Sequence, residues 1–469
     1  MSEMLPLRFR RLDSDTLIFA DEAGRFFTGN PDLAIRLVEG RLSERDKDYL
    51  KSRGMVIDCE DVNETAFLHT LARRMEPPAQ LSYVILVPTL RCDLSCAYCQ
   101  VSRAAKNARG YDWDETTLAS TIAYLDKNGG KTIQIEFQGG EPTLRMDLIE
   151  RVAQFARQRF EKPRFVICTN LSNLDNDLRA FIEQEDVSIS TSLDGPIWLH
   201  QKQRTETEPT TNAFLRNLRE ACRLAPGRVH ALPTLDVDAL PSPNELLDAF
   251  DEFGLRSIYL RPVTYHGFAR KRHPTSVAYD PRWAAFYERV IEEIINRNQD
   301  AKDDPWEEFY LSHLLKRLLR PGENSHADLR SPNWLAYDHQ VIDFNGQIYP
   351  TDEARMLARS GLIDLSVGHV SSGIDDERRR SLQSNAFNAF DPWCSRCPYQ
   401  AACGIDPIDD IARHGFVGAA KPSTTFCQRH LHLFDLAMKL LNSPDSAVRA
   451  TLSKWLSLPA SVDLGRRYV

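Results

Sequence analysis

Downstream of residue 80 the chain alternates short apolar runs with amphipathic stretches. The apolar runs fall at 83–88, 132–137, 164–169, 187–192, 229–235 and 257–263. The first, Tyr83-Val84-Ile85-Leu86-Val87-Pro88, reads as a buried strand. Between the runs lie helical stretches, at about 114–127, 145–160, 175–184, 211–224 and 243–253, and another follows at 281–297. Six strand–helix units in succession predict an α/β fold with a parallel sheet.

The pattern before residue 80 is different. Thr16–Ala20 and Gly24–Thr28 are short apolar runs around Asp21-Glu22-Ala23, a hairpin signal. Asn30 is placed to cap a helix from Pro31 to Glu39, ended by Gly40. Ser43 with Asp46 predicts a capping box for a second helix over about 44–52, and Met55-Val56-Ile57 a returning strand. A hairpin, short helices and a strand make a winged-helix pattern. Residues 1–75 therefore read as a separate module, 80–300 as the α/β unit and 301–469 as a third region. In that third region 300–335 is charged and helical, and Asn345-Gly346 between two short strands is a strong hairpin signal.

Composition narrows the class. The 469 residues are 42% hydrophobic and 26% charged, with a net charge of −8 and no basic run, which argues against a nucleic-acid partner. The first residues carry no basic-then-apolar signal, and no stretch approaches the ~20 apolar residues of a membrane span. The expectation is a cytoplasmic protein, in which ten cysteines are ligands rather than disulfides. Seven fall in two clusters; Cys59, Cys168 and Cys222 are scattered and read as small buried residues.

The first cluster is Cys92-x3-Cys96-x2-Cys99, directly after the first strand. Three thiolates on one loop can hold three irons of a cubane cluster and leave the fourth open to a small molecule. Structural zinc or three unrelated thiols are the alternatives. The second strand ends in Gln138-Gly139-Gly140-Glu141-Pro142, where paired glycines allow close backbone approach to a ligand and Glu141 can accept from an ammonium. A tight turn with Glu141 at a helix N-terminus is the plainer reading.

These two motifs resemble the CxxxCxxC and GGEP signatures of the radical SAM enzymes. The resemblance implies a partial (β/α)6 barrel with chemistry at the C-terminal strand ends. It implies a [4Fe-4S] cluster on Cys92, Cys96 and Cys99 whose open iron is chelated by S-adenosylmethionine (SAM). It also implies SAM contacts at Tyr98, Gly139, Gly140, Glu141 and Asn170, and at Leu260 on the adenine side. In the sulfatase-maturase-like branch a Ser-Leu-Asp-Gly segment supplies a serine to the ribose and a downstream arginine to the SAM carboxylate. Ser192 and Arg204 hold those places; a guanidinium suits a carboxylate because its donors match two oxygens.

The second cluster is Cys394-x2-Cys397-x5-Cys403, with Cys427 further on. It resembles the distal part of a SPASM domain, which implies one auxiliary [4Fe-4S] cluster fully ligated by Cys394, Cys397, Cys403 and Cys427. Four-cysteine zinc is the alternative. A second auxiliary cluster is not expected, because Thr351 and Pro407 stand where that domain has cysteines. Asp352 matches the aspartate that takes a proton from substrate in sulfatase maturases, and is the catalytic candidate; capping a turn with Glu353 and Arg355 is its other reading.

Flanking words, including Phe9-Arg10-Arg11-Leu12, Cys99-Gln100-Val101-Ser102-Arg103 and Cys403-Gly404-Ile405-Asp406-Pro407, resemble the His-Xaa-Ser system radical SAM maturases. That resemblance implies an oxidoreductase that modifies a ribosomally made peptide or small protein. It also implies a partner radical SAM protein and an electron donor such as flavodoxin or ferredoxin. The N-terminal module then resembles those that bind a leader peptide at a sheet edge. The competing functions are a sulfatase maturase making formylglycine and a non-catalytic peptide-binding or electron-transfer partner.

Overall fold

A computed structural model describes residues 3–57, 62–264, 266–267, 270, 279–301, 304–320, 331–459, 462 and 464–468. Cys59 and residues 321–330 lie outside the described residues. The α/β unit is built on parallel strands Leu81–Thr89, Gly129–Gly139, Lys162–Cys168, Val187–Ser192 and Val229–Leu232, each paired with the next. On the first strand, Val84 and Leu86 pack into the main core, whereas Ile85 and Val87 enter a second apolar cluster. Both faces are covered, which is why this run is apolar throughout.

The intervening helices are positioned by caps and one apolar face. Asp114 caps Glu115–Asn128 by accepting from Thr117 N–H. Met146–Arg159 buries Ile149, Val152, Ala153 and Ala156, a spacing of three and four that faces the sheet.

The last two strands are shorter than the apolar pattern predicts. The fifth run breaks at Pro233 into Val229–Leu232 and Thr234–Leu235. The sixth splits into Ser257–Ile258, paired with Glu307–Glu308, and Arg261–Pro262, paired with Thr234–Leu235. Proline supplies no ladder N–H. Between the two pieces of the sixth run, the Leu260 N–H donates instead to the Glu308 carboxylate at 3.0 Å.

The sheet extends past its first strand in the other direction. His339–Ile342 pairs in parallel with Tyr83–Leu86 and turns at Asn345-Gly346 into antiparallel Gln347–Tyr349. The C-terminal hairpin therefore shares a sheet with the α/β unit.

The N-terminal residues form a three-stranded antiparallel sheet of Arg8–Arg11, Leu17–Ala20 and Phe26–Gly29. Helices Pro31–Val38 and Glu44–Ser52 follow, and Asn30 and the Ser43–Asp46 box cap them as the sequence predicts. Arg10 pairs with Asp435 at 2.9 Å, and Tyr468 donates to Asp46 at 2.6 Å, so this sheet and its helices are fastened to the C-terminal region.

Candidate functional site

The cysteine loop is held against the ends of three strands. Leu94 N–H and the Asn170 side-chain amide approach Cys92 Sγ at 3.5 and 3.8 Å. Asn170 also donates to Asp93 at 2.9 Å, and its backbone N–H donates to Glu141 at 2.7 Å. Burial pushes the Cys92 thiol up to about 12 and raises Cys96, with the neighbouring thiols adding to both shifts.

Gly139 and Gly140 allow a close approach, but their neighbour is the chain itself. Gly139 has φ +133°, and a Cβ there would overlap the Thr89 carbonyl oxygen. A Cβ on Gly140 would overlap that of Arg91. The Gly140 and Glu141 N–H groups donate to Thr89 and Arg91 at 3.1 and 2.8 Å. The glycine pair thus seats the second strand's turn on the backbone that leads into Cys92. Glu141 is buried and also accepts from Thr143 Oγ1 at 2.7 Å, capping the turn Pro142–Arg145. Burial, opposed by these donors, lifts its carboxyl to about 6.

Arg204 lies on a π-helical turn, Gln201–Thr205, that follows the short helix Ile197–His200. Such turns widen a helix and re-aim its side chains. The Gln203 carbonyl accepts from Ala97 N–H at 2.8 Å, fastening this turn to the cysteine loop. Arg204 donates to Tyr98 Oη at 2.7 Å, and the Tyr98 hydroxyl donates to Asp194 at 2.7 Å. Arg204 is half-buried against the fully buried Asp194, and it faces the Cys96 thiol. Ser192 ends its strand on the face shared by Ser188 and Ser190.

A cavity of about 800 Å³ opens at these strand ends, lined by Gln138, by Cys168 and by Thr264, which bonds Gln100. One wall is the inner face of the sheet, including Tyr83, Gln134, Glu136, Gln138, Cys168 and Ser190. Glu136 gathers this wall: it accepts from Tyr83 Oη at 2.5 Å, from Cys168 Sγ at 3.0 Å and from the Gln138 amide. Leu260 and Arg261 line the cavity, and the Arg261 guanidinium lies over the Tyr259 ring. The facing wall carries Asp352, Glu353, Asp406 and Asp409. Asp352 opens the helix Asp352–Arg359 and pairs with the fully buried Arg355 at 2.8 Å. Thr351 caps that helix and Pro407 opens Pro407–His414, so both residues that replace expected cysteines start helices.

The C-terminal cysteines come from a turn and a helix. Cys394 lies in a short 3-10 turn whose Cys394 N–H donates to Asp391 at 3.0 Å. Cys427 lies in the first turn of Thr425–Leu441. Burial raises all four thiols, Cys427 to about 11, and Cys403 is raised further by Cys394, Cys397 and Cys427 together. Among the described residues no set of three or more His, Cys, Asp or Glu side chains is closed around a single metal-ion position.

Residues 86–238 match the Radical SAM superfamily. This stretch is a radical SAM domain. By sequence the chain is similar to an uncharacterized protein of Methanocaldococcus jannaschii, 32% identical over 117 residues, 24% of this chain and 39% of that protein. An uncharacterized protein of Methanothermobacter thermautotrophicus is 27% identical over 127 residues, 26% of this chain and 46% of that protein. The chain therefore spans less than half the length of these curated relatives. By fold it is similar to native anSMEcpe with bound AdoMet, with TM-score 0.59 and 17% identity over 76% of this chain and 96% of that one. SuiB of Streptococcus suis, bound to its precursor peptide SuiA, gives TM-score 0.55 and 16% identity over 91% of this chain and 100% of that one.

The cofactors of a radical SAM domain are a [4Fe-4S] cluster and SAM. The donor set of this one fits them. Three thiols share one loop, and N–H groups point at Cys92 sulfur, as in protein-held clusters. The structure brings Cys92, Cys96, Cys99, Tyr98, Glu141, Asn170 and Arg204 together at the strand ends. Leu260 and Asp352 stand at the adjoining cavity. Two kinds of residue escaped the sequence reading. Glu136 with its partners Tyr83 and Cys168 was legible as a polar position in the alternating run Ile133-Gln134-Ile135-Glu136-Phe137-Gln138. His266 gave no such signal.

Proposed function

We propose that this protein binds a [4Fe-4S] cluster on Cys92, Cys96 and Cys99, cleaves SAM reductively, and oxidatively modifies a ribosomally made peptide or small protein. The observation that carries this reading is the cavity of about 800 Å³ at the strand ends that lead into the Gly-Gly-Glu turn and Asn170, lined also by Thr264, which bonds Gln100. It is large enough for a peptide residue and has polar groups on two facing walls. When bound, the cluster and SAM supply a 5′-deoxyadenosyl radical, the species that removes a hydrogen atom from carbon.

The chain supplies placement. Glu141, held by Asn170 and Thr143, presents a buried carboxylate to the SAM ammonium, and Arg204 a guanidinium to the SAM carboxylate. Tyr98, Gly139, Gly140, Ser192 and Leu260 shape the remaining SAM surface. Tyr98 and Asp194 fix the Arg204 side chain from behind. Asp352 is the cavity-facing carboxylate that takes part in proton transfer. Cys394, Cys397, Cys403 and Cys427 hold one auxiliary [4Fe-4S] cluster, which conducts the electron released on oxidation. The outer strand Arg8–Arg11 offers an edge for a leader peptide, and a flavodoxin or ferredoxin supplies the reducing electron.

The test is anaerobic reconstitution, followed by incubation with SAM, reductant and precursor peptides encoded beside the gene. The expected outcome is 5′-deoxyadenosine together with a peptide whose mass has fallen by about two hydrogens per site, as loss of one hydrogen atom, one electron and one proton requires. Release of 5′-deoxyadenosine with every peptide mass intact would reject oxidative peptide modification.

A further inference from the structure

His266 belongs to the cavity wall and is 3% exposed. Among the described residues neither of its ring nitrogens has a hydrogen-bond partner. The other two imidazoles buried among the described residues, His200 and His430, have partners. His200 Nδ1 accepts from Asp194 N–H at 3.5 Å, and its ring stacks on Phe214. His430 is bonded to Tyr310 at 2.7 Å and to the Phe426 carbonyl at 2.8 Å. Buried polar atoms are normally paired, and an imidazole left open on a cavity has a free place for a ligand group.

The position of His266 is fixed from both sides. Thr264 Oγ1 donates to the Gln100 side chain. Gly267 has φ +60°, and a Cβ there would overlap the Gln100 backbone. Thr264 and Gly267, on either side of His266, thus both meet the residue that follows Cys99. Across from it stand Asp352, Asp409 and Arg413, with Arg270 on its own segment. Asp352 pairs with Arg355 at 2.8 Å and Asp409 with Arg413 at 2.9 Å, so both carboxylate charges already have counterions. Burial pushes the imidazole down to about 4; Asp409 and Asp352 oppose that shift, and Arg413 and Arg270 add to it. At neutral pH the ring is unprotonated, so one of its nitrogens carries a free lone pair.

We infer that His266 binds the target residue of the substrate in this cavity and accepts the proton released on its oxidation, an inference that rests on the peptide-modifying reading above. In the balanced step a substrate C–H bond breaks and its hydrogen atom leaves in 5′-deoxyadenosine. The substrate radical then gives one electron to an oxidised iron–sulfur cluster. It gives one proton, from the carbon or heteroatom beside the radical, to a ring nitrogen of His266 as the new double bond or crosslink forms. The substrate loses two electrons and two protons in all. The Asp352 carboxylate faces the imidazolium so formed and stabilises it.

Two measurements decide the matter, both on the reconstituted full chain. Diethylpyrocarbonate reacts with unprotonated imidazole nitrogens and serves as the probe. His266 should be carbethoxylated at neutral pH, with a half-point near 4, while His430 is spared. Failure to label His266 when the exposed His69 is labelled would overturn the inference. In His266→Gln, modified peptide formed per 5′-deoxyadenosine released should fall about a hundredfold. Added imidazole should restore part of it in His266→Ala. An unaltered ratio in His266→Gln overturns the inference as well. If the unsubstituted protein modifies no peptide, the underlying reading fails, and the labelling result separates that failure from an imidazole that is not free.

Discussion

Cys92, Cys96 and Cys99 stand beside Asn170 and Glu141, delivered by other strand ends, and Arg204, delivered by a π-helical turn. Cys394, Cys397, Cys403 and Cys427 stand chiefly beside one another. The first group has three thiols and a half-buried guanidinium close by. The second has four, with Arg10 near Cys397 and Cys427 and Arg317 near Cys403. A three-thiol set with polar neighbours suits a cluster that must bind a small molecule, and a four-thiol set suits one that is closed. Under the proposed function this difference separates an organising site from a conducting one, and it can be tested at each end.

The largest effect belongs to the first group. Replacing Cys92, Cys96 and Cys99 together with Ala should abolish SAM cleavage and remove about half of roughly eight bound irons, the content of two four-iron clusters. Iron analysis and chromatography of 5′-deoxyadenosine check both, and zinc recovered at the C-terminal cysteines would break the comparison. Next, Cys403→Ala should keep releasing 5′-deoxyadenosine while modified peptide falls sharply. Full product from a variant shown by spectroscopy to lack the auxiliary cluster would remove the conducting role.

A smaller effect is expected behind the cysteines. Arg204→Ala should weaken SAM binding by about 10- to 100-fold, the usual worth of about 1.5–3 kcal/mol for a hydrogen bond to a charged group. Calorimetric titration measures it, and unaltered affinity would detach Arg204 from the SAM carboxylate.

The smallest effect is on stability. Burial, with help from Arg204, pushes His200 down to about 3 in the folded chain, against an ordinary 6.5. The unfolded chain therefore takes up this proton first. The stability contribution is complete above pH 6.5 and is lost as pH falls toward 3, at up to about 1.4 kcal/mol per unit. Urea unfolding across that window should show less acid sensitivity in His200→Phe. Equal sensitivity in both would place the acid response elsewhere.

The parallel sheet was legible because apolar runs of strand length alternate with helices whose caps, such as Asp114, are local in sequence. The split of the sixth strand was not, because the acceptor that takes the Leu260 N–H is Glu308, 48 residues away. The approach of the cysteine loop to the Gly-Gly-Glu turn follows from strand order and could be anticipated. The Arg204–Tyr98–Asp194 chain depends on a π-helical turn, which leaves no periodic mark. His266 was invisible for a different reason: an unsatisfied imidazole is defined by what does not surround it, and that is a property of the fold alone.

Gly139 and Gly140 set a dimensional tolerance for the whole site. The two loops they join are spaced by the absence of a methyl group, with carbonyl oxygens lying where a side chain would begin. A single added carbon would act as a shim, moving the cysteine loop relative to Glu141. Displacements of about 1 Å at reacting groups can cost about 100-fold in rate. Gly140→Ala would then be a protein with an intact ligand set assembled out of gauge.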